Sequence, residues 1–317
     1  MTDTETNTRR DTLPYGIAPS AYRLPAQTRI GKVRLQVSNI EESIRFYHQV
    51  LGFHLHSRSE GRATLGAWCP SSEDPSPEER AMPSTDELIE LYERPGARKV
   101  PRQGLLGLYH FAILLPNRAS LGRFLQHLTT LGIHAGMADH WVSEAVYLND
   151  PDGLGIEVYA DRPREKWTHA DRELSMTTLP LDVRDVIEAG HGRTWTGLPQ
   201  GTVIGHVHLH VGDLAVAESF YHQGLGFDKT VWSYPSALFL AAGGYHHHVG
   251  TNTWAGTVPS AGENDARLLD WEIVVPDTAS LDAVNDNLVR MNYQTKRIGN
   301  EIITQDPWGT GVRIVAA

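Results

Sequence analysis

Sixteen histidines stand in this 317-residue chain, and they are not evenly spread. His206, His208 and His210 alternate along an apolar stretch. His246, His247 and His248 are consecutive, and His110 sits inside LYHFAILLP. Imidazole changes charge near neutral pH and, when neutral, ligates metals, so such groupings point to proton transfer or to a metal centre. The default for a strand histidine is still a packed or solvated side chain, and position must argue otherwise. Cys69 is the single cysteine, which rules out an intramolecular disulfide and a cysteine-based zinc site. A metal here would need nitrogen and oxygen ligands. Two histidines and one carboxylate on one face of an ion, with the opposite positions open, is a common arrangement for iron that activates dioxygen.

The remaining composition narrows the partners. Lys plus Arg is 28 and Asp plus Glu is 38, a formal net charge of −10 with no basic run. That disfavours nucleic acid and leaves a small molecule as the expected partner. No apolar run approaches the ~20 residues of a membrane span, so no membrane partner is expected. The polar start MTDTETNTRRDT lacks the apolar core of a secretory signal. With one cysteine, the expected location is a reducing cytoplasm.

The elements that would position these residues are written as repeats. Val33, Leu35 and Val37 alternate with polar residues, which predicts a strand. Asn39 to Gln49 predicts a helix capped by Ser38 or Asn39. FYHQVLGF, from Phe46, returns as FYHQGLGF, from Phe220, and the preceding IGKVRLQVSNIEESIR aligns without a gap on IGHVHLHVGDLAVAES. HFAILLPNRASL, from His110, matches DWEIVVPDTASL, from Asp270, and NDPDGLGIEV, from Asn149, resembles QDPWGTGVRI, from Gln305. Four similar units therefore begin near Ile30, Leu108, Ile204 and Leu268. Each reads strand, helix, then two or three short strands. In the second unit the helix is expected over Ala119–Leu131, with strands near His134, Ser143–Leu148 and Leu154–Tyr159.

The expected organisation is an N-terminal tail (1–27), an N-terminal domain of units one and two (28–160), a linker with one short helix (161–200) and a C-terminal domain of units three and four (201–317). The acidic, proline-rich stretch from Pro70 to Pro83 is expected to be an exposed loop. His48 and His222, in the repeated helix motif, are expected to be solvated.

Four βαβββ units, a helix ending in FYxxxLGF and an Asp-Pro-Asp-Gly turn before an Ile-Glu strand resemble the vicinal oxygen chelate superfamily. Within it, LYHFAILLP, SEAVYLNDPDGLGIEVYADRPR, IGHVHLHV and GGYHHHVGTNTWAG resemble the bacterial extradiol catechol 2,3-dioxygenases. The resemblance spans Ile30 to Val315. It implies an α+β, glyoxalase-like fold in which paired modules make half-barrel-like sheets. It also implies metal ligands at two positions per unit, on the first and last strands.

At those positions unit one offers Lys32 and Glu90, unit two His110 and Glu157, unit three His206 with His246–His248, and unit four Asp270 and Arg313. Pairing the units in sequence order puts a cation at a ligand position in each half. Units two and three together give His110, Glu157 and His206 with no cation. The expected metal site therefore lies across the two halves, and Lys32, Glu90, Asp270 and Arg313 are left to form a salt-bridge cluster.

The resemblance also implies a histidine acid/base on the last strand of unit three. Strand alternation puts His246 and His248 on one face and His247 on the other, which favours His248 for that role, with His246 second. A tyrosine ten residues before the ligand carboxylate corresponds to Tyr147. His140 and Trp254 are placed to touch substrate, and His208 either lines the pocket or packs under the sheet. The implied activity is extradiol cleavage of a catechol by O₂ to a 2-hydroxymuconic semialdehyde at Fe(II), with Mn(II) compatible with the same ligands. A homo-oligomer is common in the superfamily. Two other classes remain open. One is a redox-silent lyase or isomerase of the glyoxalase type, which would use a fourth ligand such as His248. The other is a drug-sequestering binding protein that needs no metal.

Overall fold

The computed structural model describes residues 15–67 and 87–317. Cys69 and the expected loop from Pro70 to Pro83 lie outside the described residues, as do residues 1–14. The first unit comprises β1 (Arg29–Val37), α1 (Ile40–Gln49), β2 (His54–Ser59), β3 (Arg62–Gly66) and β4 (Glu87–Glu93). The second comprises β5 (Gly107–Leu114), α2 (Arg118–Leu131), β6 (Gly136–Asp139), β7 (Ser143–Asn149) and β8 (Gly155–Asp161). Between the halves lie a two-residue hairpin, β9 (His169–Ala170) with β10 (Glu173–Leu174), and α3 (Val183–Ala189). The third unit is β11 (Val203–His210), α4 (Leu214–Ala217) running into a π-helical turn over Glu218–Gly224, then β12 (Asp228–Val231), β13 (Ala237–Ala241) and β14 (Val249–Asn252). The fourth is β15 (Arg267–Val275), α5 (Thr278–Arg290), β16 (Lys296–Ile298), β17 (Glu301–Gln305) and β18 (Gly311–Ala316).

All four helices of the repeat start on the same device. Asn39, Asn117, Asp213 and Asp277 each accept a hydrogen bond from the backbone N–H three residues on, at Glu42, Ser120, Val216 and Ser280. Each cap satisfies an otherwise orphaned donor and contributes about 1 kcal/mol. The helices then lock onto neighbouring units. Tyr47 of α1 donates to Asp150 in the Asp-Pro turn of unit two, at 3.2 Å. Tyr221 donates to Asp306 in the matching turn of unit four, at 2.8 Å. The repeated histidine of this motif serves the helix end: His48 Nδ1 and His222 Nδ1 donate to the carbonyls of Phe53 and Phe227. His48 is exposed as expected, but His222 is buried.

The strands form two eight-stranded sheets, ordered β16-β17-β18-β15-β1-β4-β3-β2 and β12-β13-β14-β11-β5-β8-β7-β6. The first thus joins units one and four, and the second joins units two and three. The expected domains 28–160 and 201–317 are therefore not the packing units, since each sheet takes one module from either side of the linker. Each central seam is antiparallel, with Arg34 opposite Asp270 in one sheet and His208 opposite His110 in the other.

Side-chain alternation along these strands does the sorting. Val33, Leu35, Phe111, Ile113, Val207, Leu209 and Ile273 enter one apolar core shared by both sheets. Lys32, Arg34, His110, His206 and His208 occupy the alternate positions. Burying each of the large apolar side chains contributes about 1.5–3 kcal/mol, so a register slip that reversed the faces would be very costly.

The chain from Tyr15 onward also packs, contrary to its expected status as a tail. Ile17 bridges Lys229, Leu24 N–H donates to Gly226 O at 2.9 Å, and Arg23 pairs with buried Asp228 at 2.6 Å. Its anchors are single residues without periodicity, so no pattern in the sequence marks them.

Candidate metal centre and its cavity

His110 on β5, Glu157 on β8 and His206 on β11 converge on one point. Glu157 Oε2 is 3.0 Å from His110 Nε2 and 3.0 Å from His206 Nε2, and the two nitrogens are 3.4 Å apart. Ladder geometry explains the meeting. Glu157 pairs with Ala112 and His206 also pairs with Ala112, from the other side. Among the described residues this is the one cluster of three metal-ligand side chains, and all three members are buried.

The spacing fits an ion. Ligand atoms about 2.1 Å from one metal and at right angles to each other lie about 3.0 Å apart. The protonation states fit as well. Burial drives the His206 pKa down to about 4 against the pull of Glu157. Burial would raise the Glu157 carboxyl, yet His206 and His110 hold it well below the usual carboxylate range. An ionised carboxylate facing neutral imidazole is what metal binding requires. His206 Nδ1 is buried without a hydrogen-bond partner, so what orders this ring is what its Nε2 faces.

The cluster opens onto a cavity of about 370 Å³ whose walls include Tyr109, Met137, Tyr234, Phe239 and Trp254. A void of about 150 Å³ already holds benzene, so an aromatic ring fits with room for a substituent. No Lys or Arg is among the described lining residues. Met176, Thr177 and Thr178 close one side, so the segment between the halves supplies a wall as well as a connection. Their apolar-polar mix carried no signal in the sequence.

Tyr147 lies opposite Glu157 across β7 and β8. Burial, with the Glu157 charge, raises its hydroxyl well above 10, so it remains a donor. His140 is tied to it. His140 Nδ1–H donates to the Thr177 carbonyl at 2.6 Å, and its Nε2 accepts from Tyr147 Oη at 2.7 Å. His208 lines the cavity, its ring 5.0 Å from that of His110. Its Nε2 accepts from Asn252 Nδ2 at 2.9 Å, and Asn252 Oδ1 accepts from His210 Nδ1 at 2.7 Å. Burial first, then His110 and His206, keep His208 neutral. The His208 ring lies against Gly250, where a Cβ would come within 2.8 Å of it. Trp254, half exposed, covers the mouth and donates through Nε1 to Pro235 O at 3.0 Å.

The histidine run differs from the expectation. His248 points away from the cavity: its Nδ1 accepts from Ala242 N–H at 3.1 Å and its ring packs against Tyr245. His246 is fully buried against Asp161, outside the cavity wall. His247 lines the cavity, its ring centroid 4.0 Å from that of His206. The reason is local. The strand starts only at Val249, so residues 246–248 follow bends in the backbone instead of a two-residue period.

The chain also has recognisable relatives. Residues 29–158 match the family Glyoxalase/Bleomycin resistance protein/Dioxygenase superfamily. A protein of Bacillus subtilis (strain 168) named catechol-2,3-dioxygenase is 41% identical over 285 residues, covering 88% of this chain and 94% of that one. Among solved structures, a provisionally assigned dioxygenase from Bacillus subtilis subsp. subtilis str. 168 superposes with a TM-score of 0.61 at 13% identity, over 94% of this chain and 86% of that one. A glyoxalase I mutant from Zea mays gives a TM-score of 0.52 at 18% identity, over 91% and 94%. These two structures share the fold.

Proposed function

Because this chain belongs to the Glyoxalase/Bleomycin resistance protein/Dioxygenase superfamily and to the family of the B. subtilis catechol-2,3-dioxygenase, we propose that it is an extradiol dioxygenase. It cleaves a catechol with O₂ to a 2-hydroxymuconic semialdehyde. His110, Glu157 and His206 would hold Fe(II), and their donor set also accepts Mn(II). The observation that carries the reading is the convergence of two histidines and one carboxylate at the base of an aromatic-walled cavity. Bound iron would supply a Lewis acid that makes a catechol hydroxyl more acidic and brings ring and O₂ together.

The side chains divide the remaining work. His247 takes the place foreseen for His248: neutral through burial and its histidine neighbours, it accepts the proton of a substrate hydroxyl and returns it as the ring opens. Tyr147 would turn its one hydroxyl proton, held by His140 Nε2 before substrate binds, to a substrate oxygen. His208, Phe239 and Trp254 hold the ring and exclude water. Without a cation in its described walls, the cavity favours catechols with neutral, apolar substituents over those bearing carboxylates.

A glyoxalase-type lyase or isomerase would use a fourth protein ligand. The cluster has three members among the described residues, and His248, the fourth candidate, is turned away and bonded to Ala242. A binding protein without metal would have no use for three converging ligands. The test is anaerobic loading with Fe(II), metal analysis, then addition of catechol and O₂. Iron at one per chain, O₂ uptake and a yellow product support the reading. Bound zinc or nickel with no O₂ uptake overturns it.

A further inference from the structure

Behind His247 runs a buried chain of hydrogen bonds that the reaction outlined above does not use. Asp161, at the end of β8, has Oδ1 2.9 Å from His246 Nε2. His246 Nδ1 is 2.7 Å from His247 Nδ1. The same carboxylate oxygen accepts from Tyr245 Oη at 3.2 Å, and Tyr245 Oη is 2.7 Å from Tyr159 Oη. His246 is fully buried and His247 nearly so, while the Asp161 side chain is 27% exposed. The chain thus leads from the cavity wall to solvent.

Donor and acceptor logic fixes its direction. An ionised carboxylate only accepts, so His246 Nε2 carries the proton facing Asp161. When that is the ring's one proton, a lone pair remains on Nδ1. Two nitrogen lone pairs 2.7 Å apart would repel, so His247 Nδ1 carries the proton between the rings. His247 Nε2, on the far side of that ring, is left as an acceptor. This is the same logic by which a buried aspartate sets the tautomer of a catalytic histidine elsewhere.

We infer that Asp161 and His246 are positioning residues that hold His247 in its Nδ1–H tautomer, with the Nε2 lone pair presented to substrate. The inference rests on His247 being the group that takes the substrate proton. Asp161 acts from the second unit on a histidine of the third, so the chain is complete only where the two units share a sheet. Without it, neutral His247 would be free to place its proton on Nε2, where it cannot accept another.

The experiment has two arms, both on the full chain. In metal-free protein labelled with ¹⁵N-histidine, the signals lost in His247→Phe identify His247, and they are expected to report protonated Nδ1 and bare Nε2. In iron-loaded protein, His246→Phe removes the acceptor. It is expected to lower kcat by about 10–100-fold, the range found for hydrogen-bond partners of functional histidines, with KM and bound iron unchanged. His246→Asn, whose Oδ1 can accept the same Nδ1 proton, is expected to restore both the tautomer and kcat. A packing role for the ring would not be rescued this way. A native His247 protonated on Nε2, or unchanged kcat in His246→Phe, overturns the proposal. Unchanged kcat in His247→Phe, with the tautomer as stated, overturns instead the assignment of His247 as the proton acceptor.

Discussion

Where one sheet carries His110, Glu157, His206 and His208, the repeat places Asp270, Arg313, Lys32 and Arg34 in the other. Backbone, register and alternation are shared, yet the outcomes are opposite. In the sheet of units one and four, Arg34 reaches Asp270 at 2.7 Å, Glu272 at 2.6 Å and Glu90 at 3.3 Å. Lys32 and Arg62 also hold Glu90, at 2.7 and 2.8 Å, and Arg313 pairs with Asp270 and Glu301. Each of these four cations pairs with acids, and a metal ion would have to displace one of them. In the sheet of units two and three the same positions hold three histidines and a single carboxylate, Glu157, with no Lys or Arg among them. One fold therefore yields a salt-bridged seam or a candidate metal centre according to the charge at a few positions.

The largest effect that could break this comparison is on metal retention. His206→Ala is expected to reduce iron affinity by more than the ~10–100-fold that loss of a ligand's hydrogen-bond partner costs, and to abolish turnover. Asp270→Ala, at the matching position of His110 in the other sheet, is expected to leave bound iron unchanged. Metal analysis of both variants after anaerobic loading decides the matter: the reverse result would put the ion in the wrong sheet.

Arg34→Met attacks the other side. It leaves Asp270, Glu272 and Glu90 short of their shared partner, and loss of one member of a buried charge network costs about 3–5 kcal/mol. Urea unfolding should show that loss while the folded fraction keeps its iron. Tyr147→Phe removes one hydrogen bond to a charged substrate oxygen, worth about 1.5–3 kcal/mol. A fall in kcat with metal content intact is the expected reading.

Acid should separate the sheets as well. Burial opposes ionisation of Glu90, but Lys32, Tyr92 and Arg34 outweigh it and hold its pKa at about 2. A carboxyl depressed in the folded state stabilises the protein above its unfolded pKa, about 4.3, and that contribution is lost as pH falls towards the folded value. The urea midpoint is therefore expected to drop between about pH 4.3 and the folded value, about 2. Glu90→Gln should flatten that part of the profile. The smallest effect belongs to Trp254→Ala, which removes one aromatic contact worth about 0.5–1.5 kcal/mol. It should raise the KM for catechol and leave iron binding alone.

The repeat made His110, Glu157 and His206 legible, because a module that recurs four times announces equivalent positions. Lys32 and Arg313 then excluded the sequential pairings by charge alone. The same reasoning failed for His246–His248, where a two-residue period was applied ahead of the strand that would have enforced it. The cavity wall from Met176 to Thr178 and the packing of Tyr15, Ile17 and Leu24 were illegible for a different reason: their contacts are with residues far along the chain, and neither segment has periodicity.

By itself the sequence determined the module, its caps, the inward apolar face of each first strand and the chemical type of each ligand position. These follow from local hydrogen bonding and from alternation, which act over a few residues. Only the tertiary structure decided that His247 and not His248 faces the cavity, and that Asp161 stands behind it. Those outcomes depend on backbone bends ahead of β14 and on a contact that joins residues 85 positions apart, Asp161 and His246. Over such separations, distance along the chain carries no information about direction in space.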